Sequence, residues 1–177
     1  MDGDGLPEII APNYQSSNVS LFRNVSVGNT LAFNPKVDIG VGTNPHYVTI
    51  CDIDGDGKPD LAIPNGVSNN VSILRNLSSI GNLTFTSALT PSTGSEPLSV
   101  VLGDLDLDGK PDLAVSNHGS NSGNTISVFR NTSVPGTISL QTWRGFFVSL
   151  VNAFDTVLFF INIILTNSLF FFINYII

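Results

Sequence analysis

Cysteine, histidine and positive charge are all scarce in this chain of 177 residues, and each shortage removes a class of function. One cysteine, Cys51, permits no disulfide within the chain, and its place in an apolar run beside Asp52 reads as a buried structural thiol. The two histidines, His46 and His118, do not occupy equivalent places, and no nucleophile stands with a paired base, so the chain reads as non-catalytic. Zinc requires clustered His and Cys, which are missing. Seven Lys and Arg face fourteen Asp and Glu, giving a formal net charge of −7 that argues against nucleic acid as a partner. The acidic start Met1-Asp2-Gly3-Asp4 does not read as a secretory leader.

What the chain does have is an acidic loop that returns at Asp2, Asp54 and Asp106, always 52 residues apart. The complete copies are Asp52-Ile-Asp54-Gly-Asp56-Gly57-Lys58-Pro-Asp60 and Asp104-Leu-Asp106-Leu-Asp108-Gly109-Lys110-Pro-Asp112. Carboxylates fall at positions 1, 3, 5 and 9. Neighbouring pairs would repel by about 4 kcal/mol at ~4 Å in an effective dielectric near 20, so a positive charge must sit among them. An all-oxygen donor set suits Ca²⁺. Glycine at position 6 lets the backbone turn so that the carbonyl of position 7, Lys58 or Lys110, becomes a further ligand. An EF-hand is rejected, because its bidentate Glu at position 12 is here Ile63 or Val115. The first copy, with Asp2, Asp4, Leu6 and Glu8 at positions 3, 5, 7 and 9, lacks a position 1 and is expected to be empty or weak. Outside the three loops the only acidic residues are Asp38, Glu96 and Asp155, so the negative charge is largely a set of candidate metal ligands.

Aligned at the same period, short apolar runs flank each complete loop at 48–51 and 61–63, and at 100–103 and 113–115. Farther on, Val19-Ser-Leu21-Phe-Arg23-Asn24 recurs as Val71-Ser-Ile73-Leu-Arg75-Asn76 and Ile126-Ser-Val128-Phe-Arg130-Asn131, alternating as half-buried strands do. A fourth run follows at 31–33, 83–85 and 138–140. Four short antiparallel strands repeated at this spacing predict an all-β fold, a partial β-propeller of about three four-stranded blades with the acidic loop as the first hairpin turn. The blade units are set at 1–46, 47–98 and 99–140. Sequons at Asn18, Asn24, Asn70, Asn76, Asn82 and Asn131 mostly recur with the repeat and read chiefly as strand-end and turn residues.

These motifs resemble the FG-GAP/VCBS repeats, calcium-binding blades similar to those of the integrin α-subunit propeller, over residues 1 to about 140. The resemblance implies that Asp52, Asp54, Asp56 and Asp60, and likewise Asp104, Asp106, Asp108 and Asp112, are calcium ligands. It also implies a secreted or surface protein, without supplying one shared ligand or activity; the chain reads as a segment used for adhesion or for binding protein or carbohydrate, the alternative being an accessory propeller of a secreted polysaccharide-degrading enzyme. A closed propeller needs about four to eight blades. Three blades, and a Met1 that takes the second place of a severed loop, lead us to expect a fragment of something larger.

Past about residue 140 the character changes. Residues 156–177 carry no charge and are dominated by Phe, Ile and Leu, which meets the length and hydropathy of a transmembrane helix. Nearly every residue of 158–177 is also of a type that A and T codons alone specify, the outcome of out-of-frame translation of AT-rich DNA. For 141–177 both readings, membrane anchor and artefact, stand open.

Overall fold

The computed structural model describes residues 1–119 and 125–143. The candidate membrane segment and most of the insertion at 118–124 lie outside the described residues, among which no helix is long and apolar enough to cross a membrane. The described chain is all-β. Ten strands form three antiparallel sheets, none of them closed: β1 (Ile9–Asn13), β2 (Asn18–Phe22) and β3 (Val37–Gly40); β4 (Thr49–Cys51), β5 (Asp60–Asn65) and β6 (Asn70–Leu74); and β7 (Pro97–Gly103), β8 (Asp112–Asn117), β9 (Thr125–Asn131) and β10 (Leu140–Thr142). In each complete repeat the acidic loop joins two neighbouring antiparallel strands, β4 to β5 and β7 to β8.

Two expectations need correction. Four continuous strands occur only in the third sheet, since the first two have three each. The second is extended past β6 by single bridges, Ile73 to Leu89 and Asn70 to Ser92. The run at 31–33 is also not the fourth strand of its sheet. Residues 24–33 fold back as a small tongue, with Val27 opposite Thr30 and Asn24 opposite Phe33, and the ladder resumes only at β3. Equivalent tongues pair Ser79 with Asn82 and Val134 with Thr137. Their tips, Ile80-Gly81 and Pro135-Gly136, place glycine where the turn requires positive φ, 87° and 91°.

Period-two alternation decides which side chains form the core. On β5, Leu61 and Ile63 lie on one face and Ala62 on the other, and the register sets Leu61 opposite Leu74 and Ala62 opposite Ile73. The first face packs with Val19 and Leu21 of β2, whereas Ala62, Val71 and Ile73 pack with Val100, Leu113, Val115 and Phe129 of the third sheet. Every residue of β5 is therefore buried. The second sheet is sandwiched between the other two, and Ile10, Val19 and Leu21 use the same face toward it that Ala62, Val71 and Ile73 use toward the third. Cys51 is partly rather than fully buried, because β4 has only one face against this core.

Candidate metal centre

Each acidic loop folds through its own carboxylates. Asp52 Oδ1 accepts the N–H groups of Gly55 and Asp56 at 2.9 and 3.1 Å, and its Oδ2 accepts Gly57 N–H at 2.9 Å. Asp54 Oδ1 accepts Asp56 N–H at 3.1 Å, and Asp56 Oδ1 accepts Lys58 N–H at 2.9 Å. Such side-chain to backbone bonds wind the loop inward so that the carboxylates converge. Gly57 and Gly109, at φ 85° and 86°, provide the left-handed turn that the sequence assigned to position 6. The third loop follows the same pattern through Asp104, Asp106 and Asp108. It differs at position 4, where Leu107 takes the place of Gly55 and holds a strained φ of 63°.

The convergence yields three clusters in which one oxygen of each residue lies within 4.8 Å of the others: Asp2, Asp4 and Glu8; Asp52, Asp54 and Asp60; and Asp104, Asp106 and Asp108. Of the carboxylates that the sequence designates as ligands, Asp56 and Asp112 fall outside these three-residue groupings. Asp112 and its counterpart Asp60 have a structural task. Asp60 is fully buried and accepts Ile53 N–H at 2.9 Å and Asn76 N–H at 2.8 Å. Asp112 does the same for Leu105 and Asn131. Burial pushes the Asp60 carboxyl up, against the pull of these two N–H groups, and the charges of Asp54 and Asp56 add to the rise. The side chains of Lys58 and Lys110 reach out of the loops to the carbonyls of Ser78 and Ser133 at 2.9 and 2.8 Å.

An unforeseen group enters each loop. The arginine of the alternating strand forks across positions 3 and 5: Arg23 reaches Asp2 at 2.7 Å and Asp4 at 2.8 Å, and Arg130 reaches Asp106 at 2.6 Å and Asp108 at 3.2 Å. Arg75 spans Asp54 and Asp56 in the same way. Burial would raise the Asp2 carboxyl, but Arg23 and the N–H groups of Gly81 and Asp4 outweigh it and hold that carboxyl at about 2. The signal was present in the sequence: in a chain poor in cations, Arg23, Arg75 and Arg130 recur at one repeat position, after the loops by nearly constant spacing.

The following asparagine joins sheets. Asn131 Nδ2 donates to Pro111 O of its own loop at 2.9 Å and to Ile53 O of the preceding loop at 2.7 Å. Asn76 repeats this with Pro59 O and Met1 O, both at 3.0 Å. Asn24, Asn76 and Asn131 are buried, so these sequon positions serve the fold. The tongues add a second joint, because Gly81 N–H donates to Asp2 Oδ2 at 2.9 Å and Gly136 N–H to Asp54 Oδ2 at 3.0 Å.

With strand, acidic loop, arginine and tongue repeating as one unit, the comparison with known families is decisive: the FG-GAP-like repeat matches residues 1–63 and 64–115. The chain belongs to the FG-GAP-like repeat family. No curated protein and no solved structure matches it. Both histidines of this FG-GAP-like chain lie at the opposite ends of the sheets from the acidic loops. His46 meets Tyr14 edge to face at 5.1 Å and His118 stands 3.6 Å from Glu96, around an open pocket of about 310 Å³.

Proposed function

We propose that the complete acidic loops bind Ca²⁺ and that the chain is a non-catalytic, calcium-stabilised β-propeller repeat segment of an extracellular or cell-surface protein, used to bind a protein or carbohydrate partner. The observation that carries the calcium reading is the grouping of Asp52, Asp54 and Asp60, and of Asp104, Asp106 and Asp108, each with carboxylate oxygens within 4.8 Å. Oxygens at about 2.3–2.6 Å from a common ion are separated by such distances, and the donor set is entirely hard oxygen. Charge supports the same reading. Among the described residues Arg75 is the one cation ion-paired with this loop, and it reaches only Asp54 and Asp56 of the four carboxylates, so most of their charge is left uncompensated.

Asp52, Asp54 and Asp60, with Asp104, Asp106 and Asp108 in the next repeat, are the residues that would hold the ion, and bound calcium would supply the charge neutralisation that fixes the outer turn of each blade. The extracellular assignment is supported by the repeat family and by the calcium reading, since extracellular modules commonly bind calcium with dissociation constants of about 0.1–1 mM, a range useful only outside the cytoplasm. A ligand specific to the folded state adds about 2.7 kcal/mol at a hundredfold excess over its dissociation constant. Calcium is therefore expected to raise the thermal midpoint relative to chelator, and Asp54→Ala and Asp108→Ala each to remove part of the rise. Equal midpoints in chelator and in millimolar calcium would sink the proposal.

A further inference from the structure

The carboxylate oxygens left over after each loop has folded are the ones its arginine takes. In the second loop Asp54 Oδ1 and Asp56 Oδ1 accept backbone N–H groups of the loop itself. Their other oxygens, Asp54 Oδ2 and Asp56 Oδ2, accept Arg75 Nε and Nη2. The same division holds in the third loop, where Arg130 takes Asp106 Oδ2 and Asp108 Oδ2 while the Oδ1 atoms serve the backbone. It holds as well in the first loop, with Arg23 on Asp2 Oδ2 and Asp4 Oδ2. A guanidinium fork on a pair of carboxylate oxygens takes up one lone pair of each and much of their charge, so it competes electrostatically with a divalent cation that approaches the same oxygens.

We infer that the repeat arginine is a resident counter-cation of the loop, one that holds positions 3 and 5 together and competes with a divalent ion for their charge. It is thus an affinity-determining residue. This inference rests on the calcium reading above and adds to it that Arg75 and Arg130 oppose the metal instead of assisting it. The two should not oppose it equally. The side chain of Arg75 is 17% exposed, and a Cβ on Gly136 of the next tongue would lie 3.9 Å from its Nη2, whereas Arg130 is 44% exposed. Gly136 N–H also shares Asp54 Oδ2 with Arg75, so the second loop is held from two repeats. Arg75 is correspondingly the stronger competitor of the two.

The test is calorimetric titration of Ca²⁺ into chelator-stripped protein, with thermal midpoints in EDTA and in saturating calcium, for the wild type, Arg75→Gln, Arg75→Lys and Arg130→Gln. Arg75→Gln is expected to bind calcium about tenfold more tightly at one site, the equivalent of one charge-assisted hydrogen bond no longer in competition. It should also melt lower than wild type in EDTA and approach it in calcium. Arg75→Lys, which keeps the charge and loses the fork, should fall between, and carries the comparison if Arg75→Gln does not fold; Arg130→Gln should show the smaller gain. Unchanged or weaker calcium binding by Arg75→Gln, or by Arg75→Lys in its stead, overturns the arginine inference and leaves the calcium reading standing. No saturable calcium binding by the wild type or any variant overturns the calcium reading itself, and the competition with it.

Discussion

At the residue scale, the carboxylates at positions 3 and 5 of these loops have two jobs divided between their two oxygens. One winds the backbone and the other faces the arginine. Asp2 shows the electrostatic consequence most directly, because Arg23 and two backbone N–H groups hold its carboxyl at about 2 although it is buried. A group whose folded pKa is depressed contributes stability that is complete above its unfolded value near 3.8 and is lost as pH falls through the folded value. In chelator, Asp2→Asn is therefore expected to be less stable than wild type at neutral pH, with the gap closing between pH of about 4 and 2. Denaturation midpoints across that range check the sign, and a gap that is constant down to pH ~2 would contradict it.

At the scale of elements, the repeat is joined to its neighbour by polar groups as well as by apolar faces. Asn131 ties β9 to its own loop and to Ile53 of the preceding one. Removing it leaves two carbonyls and the Ser133 N–H without their partner. Asn131→Ala should thus lower stability by about 1–3 kcal/mol, seen as a reduced urea midpoint with little change in slope. The exposed sequon residue Asn82 is the control, its alanine variant staying within about 0.5 kcal/mol of wild type. Much of this organisation was legible beforehand. The 52-residue period, the strands around each loop and the glycine at position 6 follow from alternation and turn chemistry, which act locally. The tongue was not legible, since its Leu31 to Phe33 run carries a strand pattern while its one bridge runs from Phe33 back to Asn24, with Thr30 before it bridging to Val27. The arginine fork was missed for a different reason. In the sequence Arg23, Arg75 and Arg130 belong to an alternating strand pattern, and only folding brings a residue about 20 positions past each loop back onto its carboxylates.

At the scale of the whole molecule, three antiparallel sheets are stacked by equivalent faces, with β5 wholly buried at the centre of the described chain. The acidic loops lie together at one end of that stack, and each of the first two is touched by the tongue of the next repeat. Cation binding there would stabilise joints between sheets as well as the loops themselves. On the calcium reading two loops, those from Asp52 and from Asp104, are divalent-cation sites and the first, which lacks a position 1, is incomplete. Equilibrium titration with Ca²⁺ up to roughly 10 mM, about ten times the weakest affinity expected of an extracellular module, tests this most directly. The predicted result is saturation at two ions per chain, falling to one in Asp104→Ala. Saturation at zero ions, or a stoichiometry that Asp104→Ala leaves unchanged, would contradict it.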